Sequence, residues 1–261
     1  MTSQLSKPAW PTPVVRERFA ADLIRAWLFH EGSGDETNSP SNATFASSAT
    51  WATDAQLRGV TASANAAVQG PGVYLPTAGY VDAGTIDVGD TPVSVGVYMK
   101  PKYAVSTNQS LMAAQDGGSL AAETIRIDMA NGNMGFNDDY GISTSVTGVQ
   151  TAGSVHAVMF TSRTREVKLY VDGLLVYTGT RTSTPPEALG DLKFGRVAGI
   201  TFATSAVVFA GAVWNRELGE DDAMAWTRDP YILWRRGAGA DWSGAVVAAT
   251  PVTNRQRSVT P

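Results

Sequence analysis

The segment Lys168-Leu-Tyr-Val-Asp-Gly-Leu-Leu-Val-Tyr-Thr-Gly-Thr180 consists of two short, mostly apolar runs separated by Asp172-Gly173. Asp-Gly between such runs is a strong signal for a β-hairpin, because a two-residue type I′ turn requires positive φ at both central residues. Leu169 and Val171 fall on one face of the first strand, and Tyr170 falls on the other. The segment therefore predicts a hairpin with one face of its first strand in a core.

Short strands are predicted on both sides of this hairpin, because apolar residues alternate with polar ones or form short apolar runs. The predicted strands are 26–29, 73–75, 80–82, 93–100, 125–129, 134–136, 155–160, 192–195 and 206–214. In 93–100 the odd-numbered residues are expected to face the core. The run 206–214 is nearly all apolar, which predicts a central strand covered on both faces. Asn131-Gly132 predicts a second type I′ turn.

One helix is predicted after Gly219, where the acidic residues 220–222 place negative charge in the first turn. It should end by Asp229, because the residue before Pro230 disfavours helical geometry. Trp226 is expected to dock this helix against the strands. Many turn-separated strands with one short helix predict an all-β jelly-roll sandwich.

Composition limits the classes of protein that this chain can represent. A length of 261 residues with 43% hydrophobic residues suits one all-β domain with a large core. The chain has no cysteine, which excludes disulfides and thiolate metal sites. The net charge is −4 and no basic stripe occurs, so we expect no nucleic-acid partner. No apolar run approaches the roughly 20 residues that span a bilayer, so we expect no membrane partner.

Both ends of the chain are expected to be extended arms. Residues 1–20, with a helical turn near 16–20, and residues 237–261 flank a domain predicted at 21–236. Segments of this composition bury too little apolar surface to order themselves. We therefore expect them to be held either by neighbouring subunits or along the surface of their own domain. The candidate anchors of the arms are Trp10, Trp234 and Trp242.

The hairpin and five further segments resemble the laminin G-like domains of concanavalin A-like lectins. These segments are Ala26–Gly34 (AWLFHEGSG), Val93–Met99 (VSVGVYM), Gly153–Val158 (GSVHAV), Phe209–Leu218 (FAGAVWNREL) and Asp229–Trp234 (DPYILW). Val155 stands where the family's W-H-x-V strand has Trp. The last segment is similar to an ending common in bacteriophage and prophage members. The resemblance spans 22–236 and implies a concanavalin A-like jelly roll that binds rather than catalyses.

This resemblance also implies a biological setting. It suggests a non-enzymatic virion structural protein of a bacteriophage, either a capsid decoration protein or a tail-associated protein, in contact with other virion proteins and copies of itself. The lack of cysteine, and of an apolar leader in residues 1–13, is consistent with assembly in a reducing host cytoplasm. The alternative function is a carbohydrate-binding module for adhesion to host-surface glycans.

Glycan binding needs an exposed aromatic ring that stacks on a sugar, with amide or carboxylate groups nearby for its hydroxyls. The candidate residues are Asn137, Asp138, Asp139 and Tyr140 in one predicted loop, with Trp51 and Tyr103 in others. Aromatic residues also anchor protein interfaces, so the same residues are candidates for partner contacts.

Catalysis is not expected from this sequence. A glycosidase needs two carboxylates about 5–10 Å apart, and enzymes with this fold commonly place them on one strand as Glu-x-Asp-x-x-Glu, a spacing that the sequence lacks. His30 and His156 are the only histidines, too few for a zinc site, and neither has a nucleophile motif nearby. We therefore predict no catalytic residue and no cofactor.

Calcium is the one metal ion that the sequence leaves open. Asp82, Asp87 and Asp90, or the loop at 137–139, offer the oxygen ligands that Ca²⁺ prefers. The same residue types also dominate turns for local hydrogen-bonding reasons.

Overall fold

The computed structural model describes residues 17–28, 44–46, 50–51, 72–75, 80–87, 92–101, 109–115, 123–130, 133–147, 155–184, 189–195 and 206–233. Over these ranges the chain forms two antiparallel sheets that pack face to face around a core. The predicted all-β sandwich of concanavalin A-like type is confirmed.

The elements follow one another along the chain as α1 Glu17–Ala20, β1 Leu23–Leu28, β2 Thr44–Ala46, β3 Thr50–Trp51, β4 Val73–Leu75, β5 Tyr80–Asp87, β6 Val93–Pro101, β7 Gln109–Gln115, β8 Glu123–Ala130, β9 Asn133–Asn137, β10 Ser143–Val146, β11 His156–Arg163, β12 Glu166–Val171, β13 Leu174–Thr180, β14 Leu189–Phe194, β15 Ala206–Trp214, α2 Glu220–Arg228 and a 3₁₀ helix Pro230–Leu233. Sheet I has the order β13-β12-β11-β6-β15-β4-β3, and β1 also pairs with β15. Sheet II has the order β10-β9-β8-β7-β14-β5-β2. No helix in the described ranges is long and apolar enough to cross a bilayer.

The hairpin that decides the fold is confirmed. Strands β12 and β13 are joined by Asp172 and Gly173, with φ angles of 50° and 84°. Both angles are positive, as a type I′ turn requires. Leu169 and Val171 lie in the core between the sheets, whereas Tyr170 lies on the opposite face of sheet I.

The core between the sheets is formed by the inward residues of both. The odd-numbered residues of β6, from Val93 to Met99, are buried there as predicted. Trp27 from sheet I meets Phe194 from sheet II edge-to-face, with ring centroids 5.7 Å apart. Phe160 and Phe136 make a second contact across the sandwich at 5.1 Å. Such pairs fix the distance and angle between the sheets.

A second apolar cluster covers the outer face of sheet I. It includes Phe19 of α1, Trp226 of α2, Leu233 of the 3₁₀ helix, and Tyr98 and Trp214 of the sheet. Every residue of β15 is consequently buried, which confirms the prediction of a strand covered on both faces. The burial of Phe19 shows that the described part of the predicted N-terminal arm packs on the domain.

Helix α2 begins after Gly219 and ends before Asp229, as predicted. It lies close to the sheet because Gly96 on β6 has no side chain. A Cβ atom built on Gly96 would approach the six-membered ring of Trp226 to 2.5 Å. The predicted docking role of Trp226 is therefore confirmed, and it depends on a glycine in the strand beneath it.

Strands that are neighbours in the sequence often lie in different sheets. The neighbouring segments Val73–Leu75 and Tyr80–Asp87 lie in different sheets, so the chain crosses the sandwich between them. The pairing of β8 with β9 confirms the second predicted hairpin. Its predicted turn, Asn131-Gly132, lies outside the described residues, as do 1–16 and 234–261.

Candidate functional site

The two outer faces of the sandwich differ in how they are covered. Helix α2 packs on β11, β12 and β13, and the 3₁₀ helix packs on β15, all in sheet I. None of the described helices contacts a strand of sheet II to a comparable extent. The outer face of sheet II is therefore the first place to search for a binding surface.

Strand register aligns six residues in one line across sheet II, and we call this line the polar row. It consists of Asp82 on β5, Lys193 on β14, Ala113 on β7, Arg126 on β8, Asn137 on β9 and Ser143 on β10. The sequence neighbours of these residues point into the core, for example Val81 beside Asp82 and Phe136 beside Asn137. Because successive strand residues face opposite sides, the row lies on the outer face.

The polar row combines several hydrogen-bonding groups on a rigid support. Its five inter-strand steps of about 4.8 Å give a length of roughly 24 Å. Five of the six side chains are polar, and they supply carboxylate, ammonium, guanidinium, amide and hydroxyl groups. Ala113, in the middle of the row, is small and buried. Its neighbours in the row are the longer side chains Lys193 on β14 and Arg126 on β8.

Lys193 is held in a local network on this face. Its Nζ lies 3.8 Å from Oδ2 of Asp191 and 5.9 Å from the centroid of the Tyr80 ring. The hydroxyl of Thr85 donates to Oδ1 of Asp191 at 3.0 Å. An aromatic ring, a cation and a carboxylate thus lie together at one end of the polar row.

The other end of the row leads into the predicted ligand loop at 137–140. Asn137 belongs to the row, and its Oδ1 accepts a hydrogen bond from Ser143 Oγ at 3.0 Å. Asp139 is exposed, and Tyr140 is half-buried. The backbone oxygen of Tyr140 accepts from the backbone N–H of Thr182 at 2.8 Å, which ties the loop to the chain following β13.

Asp138 is turned inward and has a structural role instead of facing a ligand. Its Oδ2 accepts from Nε of Arg181 at 2.7 Å, and both side chains are at most 1% exposed. Its Oδ1 accepts from the backbone N–H groups of Tyr140 and Ile142 at 3.0 and 2.9 Å. The sequence predicted that Asp138 contacts a glycan or a partner, but these hydrogen bonds occupy both oxygens of its carboxylate.

Arg181 completes this buried link between the two sheets. Its Nη1 donates to Oγ of Ser162 on β11 at 2.9 Å. Its guanidinium carbon lies 6.0 Å from the ring centroid of Tyr140 and 5.7 Å from that of Phe160. The pair of Asp138 and Arg181 therefore joins a loop of sheet II to the end of the hairpin in sheet I.

Of the remaining predicted contact residues, only Trp51 lies in the described part of the chain. Trp51 lies in strand β3, where it pairs with Val73, so its assignment to a loop was wrong. Short edge strands of two residues give little periodic signal, which explains the error. Tyr103, Trp10, Trp234 and Trp242 lie outside the described residues.

The calcium candidates among the described residues do not come together as a cluster of ligands. Asp82 and Asp87 lie in strand β5 and not in a loop, and Asp90 lies outside the described ranges. Oδ1 of Asp82 accepts from the backbone N–H of Gly84 at 2.8 Å. The loop at 137–139 commits Asp138 to Arg181. In the described part of the chain, no three carboxylate or imidazole groups cluster as metal ligands would.

His156 holds the hairpin turn. Its Nδ1 lies 2.7 Å from Oδ2 of Asp172, whose Oδ1 accepts from the backbone N–H of Ala157 at 2.9 Å. The backbone N–H of Gly173 donates to Oγ1 of Thr227 on α2 at 3.1 Å. The turn is thus held on one side by β11, through Asp172, and on the other by α2, through Gly173. His30 lies outside the described residues.

Tyr98 shows that the covered face is a low-dielectric environment. Burial raises the pKa of Tyr98 well above its usual range, and the nearby carboxylates of Asp172 and Asp229 raise that pKa further. A phenol in such surroundings stays neutral and serves packing. Tyr98 therefore serves the packing of the apolar cluster on the outer face of sheet I.

Of the residues in the polar row, the sequence analysis named only Asn137 as a glycan contact and Asp82 as a calcium candidate. For Lys193 and Arg126, the sequence indicates only that their side chains face outward, because each lies next to an apolar residue that faces the core. Alternation shows which side of a strand a residue occupies. It does not show which strands become neighbours, so the row itself was not predictable.

Comparison with known families identifies the class of this sandwich. A laminin G-like family model (Laminin_G_3), described as concanavalin A-like lectin/glucanases superfamily, matches residues 75–223, which is more than half of the chain. The chain belongs to this family, as the motifs of the hairpin and its flanking segments predicted. None of the curated protein sequences compared with it matches.

Solved structures share the fold at low sequence identity. Trypanosoma rangeli sialidase superposes with a TM-score of 0.59 at 15% identity, over 81% of this chain and 33% of the sialidase. The binding domain of botulinum neurotoxin serotype G gives 0.53 at 11% identity, over 79% of this chain and 50% of that one. The receptor binding domain of botulinum neurotoxin D gives 0.52 at 12%, over 81% and 53%. This chain therefore spans a third to a half of those structures, and the likeness shows the fold alone.

Proposed function

We propose that this protein is a non-enzymatic, lectin-like binding module that holds a glycan on the outer face of sheet II. The observation that carries the proposal is the polar row, which lies on the sheet face that the described helices leave uncovered. The opposite face of the sandwich is filled by the apolar cluster under α2. The family to which the chain belongs includes lectins, which supports a carbohydrate ligand.

The row offers the groups that sugars require. Sugar hydroxyls both donate and accept hydrogen bonds, and the row presents donors on Lys193 and Arg126 and acceptors on Asp82 and Asn137. Tyr80 provides an aromatic ring beside Lys193 on which the apolar face of a sugar can stack. All of these groups are carried on strands, so little ordering entropy is lost when a ligand binds.

The charge arrangement supports binding in preference to hydrolysis. Hydrolysis by two carboxylates requires one of them to be a general acid with a raised pKa, opposite a second carboxylate. On this face Asp82 is the cross-strand neighbour of Lys193, and Asp191 is paired with the same lysine. Both carboxylates therefore lie next to a lysine on this face, where their oxygens can accept hydrogen bonds from sugar hydroxyl groups.

The test is a glycan array on the full chain, followed by titration calorimetry with the best ligand. We expect Tyr80→Ala and Lys193→Ala each to weaken binding at least about tenfold, which corresponds to roughly 1.4 kcal/mol. The matched control is Asp221→Ala, an exposed residue on α2 over sheet I, which should bind like the wild type. Equal binding by all variants would place the ligand elsewhere, and measurable cleavage of the polysaccharide would contradict the non-enzymatic assignment.

A second candidate function is the structural role in a bacteriophage virion, as a capsid decoration or tail-associated protein. The observation that favours it is the phage-like ending that begins at Asp229. Its described part is built into the domain, with Pro230 and Leu233 buried against sheet I. This role is compatible with glycan binding, because a protein on a particle surface can also hold sugars.

Particle association can be measured directly. We expect the full chain to co-purify with assembled particles, and removal of residues 1–16 or 237–261 to abolish co-purification while leaving the melting temperature unchanged. Both segments lie outside the residues that the structure describes. Particles that lack the protein, or that retain both truncated forms equally, would contradict the structural role.

A further inference from the structure

Strand β13 is the most exposed edge of the sandwich. It is the last strand of sheet I, and no described strand pairs with its outer side. It has seven residues, whereas the other described strands that pair on one side only, β1, β10, β2 and β3, have six, four, three and two, and β1 carries a charged residue, Arg25. Seven residues present roughly 23 Å of edge at about 3.3 Å per residue. A long free edge of this kind offers unpaired backbone groups to another strand.

The composition of β13 does not protect this edge. Its sequence, Leu174-Leu-Val-Tyr-Thr-Gly-Thr180, contains no charged residue and no proline, which are the usual means of preventing edge-to-edge pairing. Leu174 is 65% exposed and Leu175 is 38% exposed. Among the described residues, only one other large hydrophobic side chain, Ile24, is classed as exposed. Exposed apolar surface is thus concentrated at this edge.

The charges nearest to the edge are already paired within the chain. Nζ of Lys168 on β12 lies 2.9 Å from Oε1 of Glu217 and 3.3 Å from Oε1 of Glu166. The hydrogen bond to Glu217 raises the pKa of Lys168, so the lysine stays charged. A strand that approaches β13 would therefore meet an uncharged row of side chains, next to charges that are already engaged with one another.

The bulge in β13 leaves most of the edge regular. The register with β12 shifts at Val176, and the residues from Tyr177 to Thr180 then pair one-to-one with those from Leu169 to Glu166. Alternate backbone groups of a regular strand point away from its partner. The outer side of 177–180 is consequently shaped to receive another antiparallel strand.

We propose that β13 pairs antiparallel with β13 of a second copy of this chain, so that the two eight-stranded sheets join into one continuous sheet. The backbone edge specifies a β-strand as the occupant. The absence of charge specifies an uncharged strand, because a charged partner would be placed against Leu175 or Tyr177 without a counter-ion. The strand itself meets both conditions, since every antiparallel register sets uncharged residues opposite uncharged residues. A two-fold axis produces this pairing in a closed dimer.

Sedimentation velocity of the full chain across a range of concentrations tests the dimer. We expect a dimer at micromolar concentrations, and we expect Thr178→Glu to raise its dissociation constant at least about tenfold. Within one copy the new carboxylate lies opposite Lys168, so the fold is kept, whereas in the dimer it is placed against the uncharged β13 of the second copy. The control is Ser145→Glu on β10, the exposed edge of sheet II, which should leave the dimer intact.

Cross-linking gives a second, independent measurement. The chain has no cysteine, so a single cysteine can be introduced in turn at 175, 176, 177 and 178 without a competing thiol. At least one of these variants should form a disulfide-linked dimer under mild oxidation, whereas Ser145→Cys should not. A monomer at all concentrations, or a dimer that neither Thr178→Glu nor any of the cysteines affects, would overturn the proposal.

Discussion

Replacing Asp138 by Ala is expected to lower the free energy of unfolding by about 3–5 kcal/mol, as for the loss of one partner from a buried ion pair. The variant leaves the guanidinium of Arg181 buried at 1% exposure without its carboxylate. It also removes the acceptor for the backbone N–H groups of Tyr140 and Ile142. Urea denaturation followed by tryptophan fluorescence measures this loss.

Two controls separate the effect of leaving the Arg181 guanidinium unpaired from a general effect of mutating the loop. Asp139→Ala changes the adjacent, exposed residue and should stay within about 0.5 kcal/mol of the wild type. Asp138→Leu combined with Arg181→Met removes both charges and should recover most of the stability that Asp138→Ala loses. Wild-type stability of Asp138→Ala would show that the buried pair does not hold the two sheets together.

Replacing Trp214 by Ala is expected to destabilise the protein by a similar amount, about 3–5 kcal/mol. Trp214 is fully buried, and its ring contacts Phe19 at 6.5 Å and Trp226 at 6.2 Å between centroids. Its Nε1–H donates to the backbone oxygen of Phe19 at 2.9 Å. The substitution therefore leaves a cavity where β15, α1 and α2 meet. The melting temperature and the unfolding free energy both report the loss.

Trp214→Phe is the matched control, because it retains an aromatic ring but removes the N–H donor. We expect Trp214→Phe to lower the free energy of unfolding by less than Trp214→Ala does. We also expect α1 to detach from the sheet, because its hydrogen bond to Trp214 is lost. Faster amide hydrogen exchange at residues 17–20 in both variants would show this detachment. An unchanged melting temperature for Trp214→Ala would remove this residue from the core that supports the helices.

The local features of the fold were predictable because short-range chemistry determines them. The turn at Asp172-Gly173, the alternation in 93–100 and the end of α2 before Pro230 each depend on neighbours a few residues away. The pairing of strands was not predictable in this way. Val73–Leu75 and Tyr80–Asp87 are close in sequence, yet they lie in different sheets because that placement buries the inner face of each.

The candidate site illustrates the same limit. The row from Asp82 to Ser143 is assembled from six strands, so no single segment carries its pattern. The sequence of the loop at 137–140 predicts a ligand contact because amide and carboxylate groups stand beside an aromatic residue. That composition is the same for a ligand loop and for a loop that binds its own backbone. The deciding partner of Asp138 is Arg181, which is 43 residues away in the chain.

The helices cover one outer face of the sandwich and the polar row lies on the other, which affects how tightly a dimer can bind to a surface that carries many sugars. When two copies join through β13 about an axis perpendicular to the shared sheet, both helix-covered sides point one way and both polar rows point the other. Two weak sites directed at one array of sugars act as a bivalent unit. Their combined avidity then depends on the spacing of the sugars as much as on either contact.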